Sequence, residues 1–109
     1  MAPNGKMKAA RFHGQNDLRV EDTDEPQCEP GKIKIQPAWC GICGSDLHEY
    51  EAGASLCPTT PHAITGETIP LIFGHEFSGK IEEVGEGCSD KWKVGDRVVV
   101  QPIIYGEFW

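Results

Sequence analysis

A mainly β fold with only short helices, a small antiparallel barrel or part of one, is what this sequence predicts. Three observations carry that reading. Thirteen glycines and eight prolines in 109 residues cut the chain into short pieces, which suits short strands and tight turns better than long helices. Leu18 and Val20 alternate with polar neighbours, as do Ile33 and Ile35, the period-two pattern of half-buried strands. Val98-Val99-Val100 reads as a core strand buried on both faces.

Taken in order, Met7 to Phe12 form a first strand, closed by His13-Gly14-Gln15-Asn16-Asp17. The strand of Leu18 and Val20 follows, then an acidic loop from Asp22 to Glu29. Glu29-Pro30-Gly31-Lys32 fits a type II turn, with proline at the first central position and glycine supplying positive φ at the second. After the strand of Ile33 and Ile35, Pro37 ends the regular ladder or bulges it before Trp39. Ser45 to Tyr50 is the best short helix, with Ser45 or Asp46 as its N-cap and Gly53 ending it. Ala54 to Pro70 is a long loop holding Pro58, Pro61 and Gly66. Leu71-Ile72-Phe73 leads into a strand from Phe77 to Val84, and Val94-Gly95-Asp96-Arg97 is a turn.

Composition excludes several function classes. Seventeen acidic against ten basic residues give a formal charge of −7, so neither nucleic acid nor an anionic membrane surface is an expected partner. No apolar run approaches the ~20 residues of a membrane span, and Met1 to Met7 lack a signal-peptide core. A cytoplasmic location is the expectation. The five cysteines, Cys28, Cys40, Cys43, Cys57 and Cys88, are an odd set that argues for metal binding or buried thiols rather than a disulfide framework.

Chemistry concentrates in two stretches. Cys40-Gly-Ile-Cys43-Gly-Ser45-Asp46-Leu-His48 gathers two soft thiols, a hydroxyl, a carboxylate and an imidazole. Gly74-His75-Glu76-Phe77-Ser78-Gly79 plants an imidazole and a carboxylate between glycines. Thiolate and imidazole are zinc's preferred donors. Cys43 and His75 are nevertheless too far apart for any compact zinc-finger spacing. As ordinary residues, His75 would be a turn histidine, Ser45 a helix cap, Cys28, Cys57 and Cys88 plain thiols, and His13 and His62 surface-loop histidines.

The two stretches, the second continuing to Gly85-x-x-Cys88, resemble the zinc-containing medium-chain alcohol dehydrogenases. The wording of Met7 to Arg11, Cys43 to Tyr50 and Gly74 to Gly79 is similar to the 2,3-butanediol dehydrogenase branch, beside sorbitol dehydrogenases. The similarity runs from Met7 to about Ile104, and Gly106 to Trp109 do not continue it. The resemblance implies a GroES-like partial barrel, the truncated N-terminal part of a catalytic domain over residues 1–109. It implies Cys43 and His75 as catalytic zinc ligands, with Glu76 beside the metal. Ser45 would take the substrate hydroxyl proton and pass it towards His48, and Asp46 would orient His75, since a ligating histidine usually gives its other N–H to a carboxylate. Cys40 would pack or hydrogen-bond near the site. The substrate class implied is a small alcohol, diol or polyol, with a vicinal diol oxidised to a hydroxyketone. NAD would accept the hydride in the full-length relatives, which are expected to be homo-oligomers.

The third protein ligand and the nucleotide-binding domain of that family would lie beyond this chain. No Gly-x-Gly-x-x-Gly opens a helix here, since Gly85-Glu86-Gly87 is followed by Cys88-Ser89-Asp90. The fragment alone is therefore expected to bind no NAD, hold zinc weakly and be inactive. Two other readings stand beside the dehydrogenase. One is a non-catalytic zinc-binding or partner-binding remnant. The other is a dithiol redox protein, because Trp39-Cys40-Gly41-Ile42-Cys43 looks like a thioredoxin active site.

Overall fold

The computed structural model describes residues 5–102. Six strands and one helix follow in order: β1 Lys6–Gly14, β2 Asp17–Asp24, β3 Ile33–Gly41, α1 Gly44–Ala52, β4 Leu71–Ile72, β5 Glu76–Val84 and β6 Arg97–Val99. Every strand pairing is antiparallel, so the expectation of a mainly antiparallel β chain with a short helix holds. The expected end of the resemblance, at Ile104 and Gly106 to Trp109, lies outside the described residues. Among the described residues no helix is long and apolar enough to cross a membrane. The described residues divide into two compact units, one taking residues 5–25 plus Ile42–Gly74, the other Pro26–Gly41 and residues 75–102.

The first unit holds a sheet in the order β2-β1-β4. Its centre is Phe12, fully buried on the middle strand and stacked on Phe73 with ring centroids 4.6 Å apart. The β1–β2 hairpin turns at Asn16, which adopts φ 54°, a left-handed conformation that asparagine tolerates better than most residues. Asn16 N–H donates to the Tyr50 carbonyl at 2.7 Å and the Gln15 amide to the Glu51 carbonyl at 2.9 Å, so the hairpin tip carries the C-terminal end of α1. The long segment from Ala54 to Pro70 has no helix or strand, as expected.

The alternation in β2 places its faces opposite to expectation. Leu18 and Val20 are exposed, Val20 at 75%, whereas Asp17, Glu21 and Thr23 are half-buried. Among the described residues β2 is an edge strand paired only with β1, and its inward face is held by charge. Glu21 accepts a hydrogen bond from His13 at 2.7 Å and lies 3.6 Å from the Arg11 guanidinium. His13 is thus a half-buried strand residue rather than a surface-loop histidine. His62 is the exposed loop histidine expected, its Nδ1 accepting the Ile64 N–H at 3.1 Å.

The second unit holds a sheet in the order β3-β5-β6. Its core residue is Ile81 on the central strand. The turn before β3 forms as read, with Gly31 at φ 79° and Lys32 N–H donating to the Glu29 carbonyl at 3.1 Å. The expected irregularity at Pro37 is a shift of register between Pro37 and Trp39. Two glycines on the facing segment let backbones meet. A Cβ on Gly79 would lie 2.1 Å from the Gln36 carbonyl oxygen, and one on Gly85 2.2 Å from that of Glu29. No side chain fits either place.

Two expectations fail in this sheet. Lys34, not Ile33 or Ile35, is the buried member of β3, because the ladder slips between Lys34 and Ile35 and Glu83 stands opposite, 3.5 Å from the Lys34 ammonium. Val99 is 78% exposed, so the valine run is not buried on both faces. Among the described residues β6 is a three-residue edge strand paired only with β5. The turn before it is as read, with Gly95 at φ 93°.

Candidate functional site

In the first unit the candidate residues ride on α1. The helix starts at Gly44, so its N-cap is Cys43 rather than Ser45 or Asp46. Cysteine is a poor cap, and the compensation comes from Asp46, whose carboxylate accepts the Cys43 N–H at 3.2 Å while its negative charge suits the helix N-terminus. The Cys43 carbonyl accepts from Asp46 N–H at 3.0 Å. Cys43, Ser45 and Asp46 are half-buried and His48 is exposed. Ser45 and His48 are three apart, which puts them side by side on one helix face. A hydroxyl and an imidazole thus lie in line from half-buried to exposed.

In the second unit, His75 and Glu76 stand at the start of β5, His75 half-buried and Glu76 exposed. Glu76 pairs with Gly41 at the last rung of the β3–β5 ladder, and a Cβ on Gly41 would meet Glu76 Oε1 at 3.4 Å. An open cavity of about 430 Å³ lies here, lined by Trp39, His75, Glu76, Phe77, Val99 and Pro102 among others. Its walls are mostly apolar, with an imidazole and a carboxylate at one side, the composition of a small-molecule site. Cys40 is exposed, its thiol donating to the Gly41 carbonyl at 3.6 Å, in keeping with the hydrogen-bonding role expected of it. All five cysteines are free thiols. With every pairing antiparallel, the α/β setting of a thioredoxin-type dithiol is absent among the described residues.

One functional group escaped the sequence reading. Glu49 is almost wholly buried at 3% exposure. Its carboxylate accepts the backbone N–H groups of Ser55 (3.0 Å), Leu56 (2.9 Å) and Cys57 (2.8 Å), together with the Ser55 hydroxyl. Burial pushes the carboxyl up, but these four donors outweigh it and hold its pKa down at about 2. Burial, then the Glu49 carboxylate beside it, pushes the Cys57 thiol up to about 11. Nothing local marks Glu49 in the sequence, because its donors arrive only after the chain reverses at Gly53, φ 95°.

Comparison with known proteins gives a consistent result. The family description "alcohol dehydrogenase GroES-like domain" matches residues 29–108, so the likeness runs on through Gly106 to Phe108 and does not end near Ile104 as expected. The chain is 60% identical over 98 residues to (R,R)-butanediol dehydrogenase of Bacillus subtilis, covering 89% of this chain and 28% of that protein. The crystal structure of 2R,3R-butanediol dehydrogenase from Bacillus subtilis superposes with a TM-score of 0.86 at 58% identity, covering 91% of this chain and 28% of that one. An alcohol dehydrogenase from E. coli CFT073, solved with NADH, gives 0.72 at 32% identity, covering 93% and 26%. The chain therefore spans a little over a quarter of the length of the relatives it matches.

Proposed function

We propose, on the premise that this chain belongs to the alcohol dehydrogenase GroES-like domain family, that it carries the proton-relay and zinc-ligand part of a 2,3-butanediol dehydrogenase-like enzyme. The reaction is oxidation of a vicinal diol to a hydroxyketone with NAD as hydride acceptor, and its reverse. The third zinc ligand and the dinucleotide-binding domain belong, on this reading, to the length of the relatives that the chain does not span. The whole enzyme is a cytoplasmic homo-oligomer.

The observation that carries the metal assignment is the Gly41↔Glu76 rung that ends the β3–β5 ladder. Cys43 follows Gly41 by two residues and His75 precedes Glu76 by one. Extended chain advances at most ~3.6 Å per residue, so both segments are tethered to the same end of one ladder. A thiolate and an imidazole so tethered are a donor pair that suits zinc. When bound, zinc supplies a Lewis acid that lets an alcohol lose its proton near neutrality. Ser45 then accepts the substrate hydroxyl proton and passes it to His48, which is exposed and releases it to water. Asp46 holds the Cys43 backbone and orients His75. Glu76 stands beside the ligands as an alternative donor, and the apolar cavity wall takes the carbon skeleton of the diol.

The test is to measure zinc content and NAD-dependent 2,3-butanediol oxidation in the full protein, with Cys43→Ala and His75→Ala beside it. Both variants should lose metal and turnover together. Full zinc occupancy in either variant, or no oxidation of any vicinal diol by the zinc-loaded wild type, would overturn the reading.

A further inference from the structure

The group that the dehydrogenase chemistry does not use is Glu49, and it is the most heavily hydrogen-bonded side chain among the described residues. A carboxylate ringed by four donors from one short segment acts as a clamp. It satisfies three consecutive backbone N–H groups, Ser55 to Cys57, that would otherwise be left without partners beyond the end of α1. Gly53, whose N–H donates to the Glu49 carbonyl at 2.9 Å, makes the reversal that brings them back. Glu49 thus closes both ends of a five-residue loop, its carbonyl taking one end and its carboxylate the other.

The same carboxylate faces Cys57. The Cys57 N–H points at Glu49 Oε1, and the thiol feels the negative charges of Glu49 and, more weakly, Asp46. Thiolate is the nucleophile and the metal ligand. A fixed negative charge beside a half-buried thiol opposes forming a second one.

We propose that Glu49 is a positioning residue that clamps Ser55–Cys57 onto the helix carrying Cys43, Ser45 and His48, and that it keeps Cys57 unreactive towards electrophiles and soft metals. Of the two thiols in the first unit, Cys43 and Cys57, the clamp withdraws one from competition for metal and leaves the other. This inference does not rest on the zinc reading, because its readout is thiol chemistry rather than turnover.

The experiment uses the full protein, alkylated with iodoacetamide from pH 7 to 11 and followed cysteine by cysteine by peptide mass spectrometry. Cys57 in the native protein should react about a hundredfold more slowly at pH 8 than the same cysteine in urea-unfolded protein, its rate rising only near pH 11. Glu49→Gln keeps the shape and removes the charge. It should move the rise of Cys57 downward by about one pH unit, speed its alkylation about tenfold at pH 8, and leave Cys28 within twofold. A native Cys57 profile that rises below pH 9 would overturn the proposal. So would a Glu49→Gln profile that stays where it was, or a variant in which Cys28 and Cys57 accelerate together, which marks general loosening. Should Glu49→Gln fail to fold, Glu49→Asp, which draws the charge back by one methylene, should speed Cys57 with Cys28 within twofold. An unchanged Cys57 rate there overturns the proposal. Ser55→Ala is measured beside it. That variant keeps the carboxylate, so its Cys57 must stay slow, and a fast one refutes the clamp.

Discussion

Two regions of this molecule hold polar site residues still, and they do so by different physics. In the second unit, His75 and Glu76 are placed by backbone meeting backbone. β5 lies so close to β3 that Gly79 leaves no space for a methyl group against Gln36, and just past β5 Gly85 leaves none against Glu29 in the turn before β3. In the first unit, α1 and the segment behind it are placed by one buried charge, Glu49, serving four donors. The close approach at these glycines is a matter of shape and involves no ionisable group. The clamp is stabilised by an ionised group. The two regions should therefore fail in two distinguishable ways.

The largest effect is expected at the ladder. Gly79→Ala would force a Cβ to 2.1 Å from the Gln36 carbonyl oxygen, and the strands must part to admit it. Overpacking of this kind costs about 3 kcal/mol, to be read from urea unfolding at pH 7. A loss below 1 kcal/mol would show that the close approach is not what seats β5.

Next comes the clamp. Glu49→Gln removes the charge from hydrogen bonds that are each worth more for having it, at a cost of about 2 kcal/mol at pH 7. Its pH dependence separates the two regions. The folded pKa of Glu49, about 2, lies below the ordinary 4.5. Its stabilisation is therefore complete above the ordinary value and fades as pH falls from about 4.5 towards 2. Urea midpoints at pH 6 and pH 3 should converge between wild type and Glu49→Gln, while the Gly79→Ala difference stays constant. Equal gaps at both pH values would show that the clamp does not depend on an ionised Glu49.

A smaller change is expected at Asp46. Asp46→Asn keeps an acceptor for the Cys43 N–H but weakens the partner proposed for His75. Zinc affinity of the full protein, measured by chelator competition, should fall ten- to a hundredfold with the urea midpoint little changed. Unaltered affinity would remove Asp46 from the metal reading. Smallest of all, Val20→Thr and Val99→Thr sit on exposed edge strands, one in each unit. Both should alter stability by no more than about 0.5 kcal/mol. A cost above 1 kcal/mol at either would mean that something covers that edge in the full protein.

Local patterns in the sequence determine a great deal of this fold. Glycine, proline and period-two alternation were enough for the strand positions, the Glu29–Lys32 turn, the irregularity at Pro37 and the short helix that Gly53 ends, because each depends on neighbours a few residues away. The motif around Cys43 and His75 was enough for the family. What the sequence could not decide is which face of each strand is covered. Leu18 and Val20 look buried by their alternation, yet β2 is an edge strand whose covered side carries Glu21 against His13 and Arg11. Lys34 looks exposed, yet a slipped rung and Glu83 make it the buried residue of β3. Alternation reports two faces without saying which one meets a partner, and only strand order and register choose. Glu49 makes the same point in another way. A glutamate in a short helix is ordinary until the chain reverses and brings three backbone N–H groups to its carboxylate, and that convergence exists only in three dimensions.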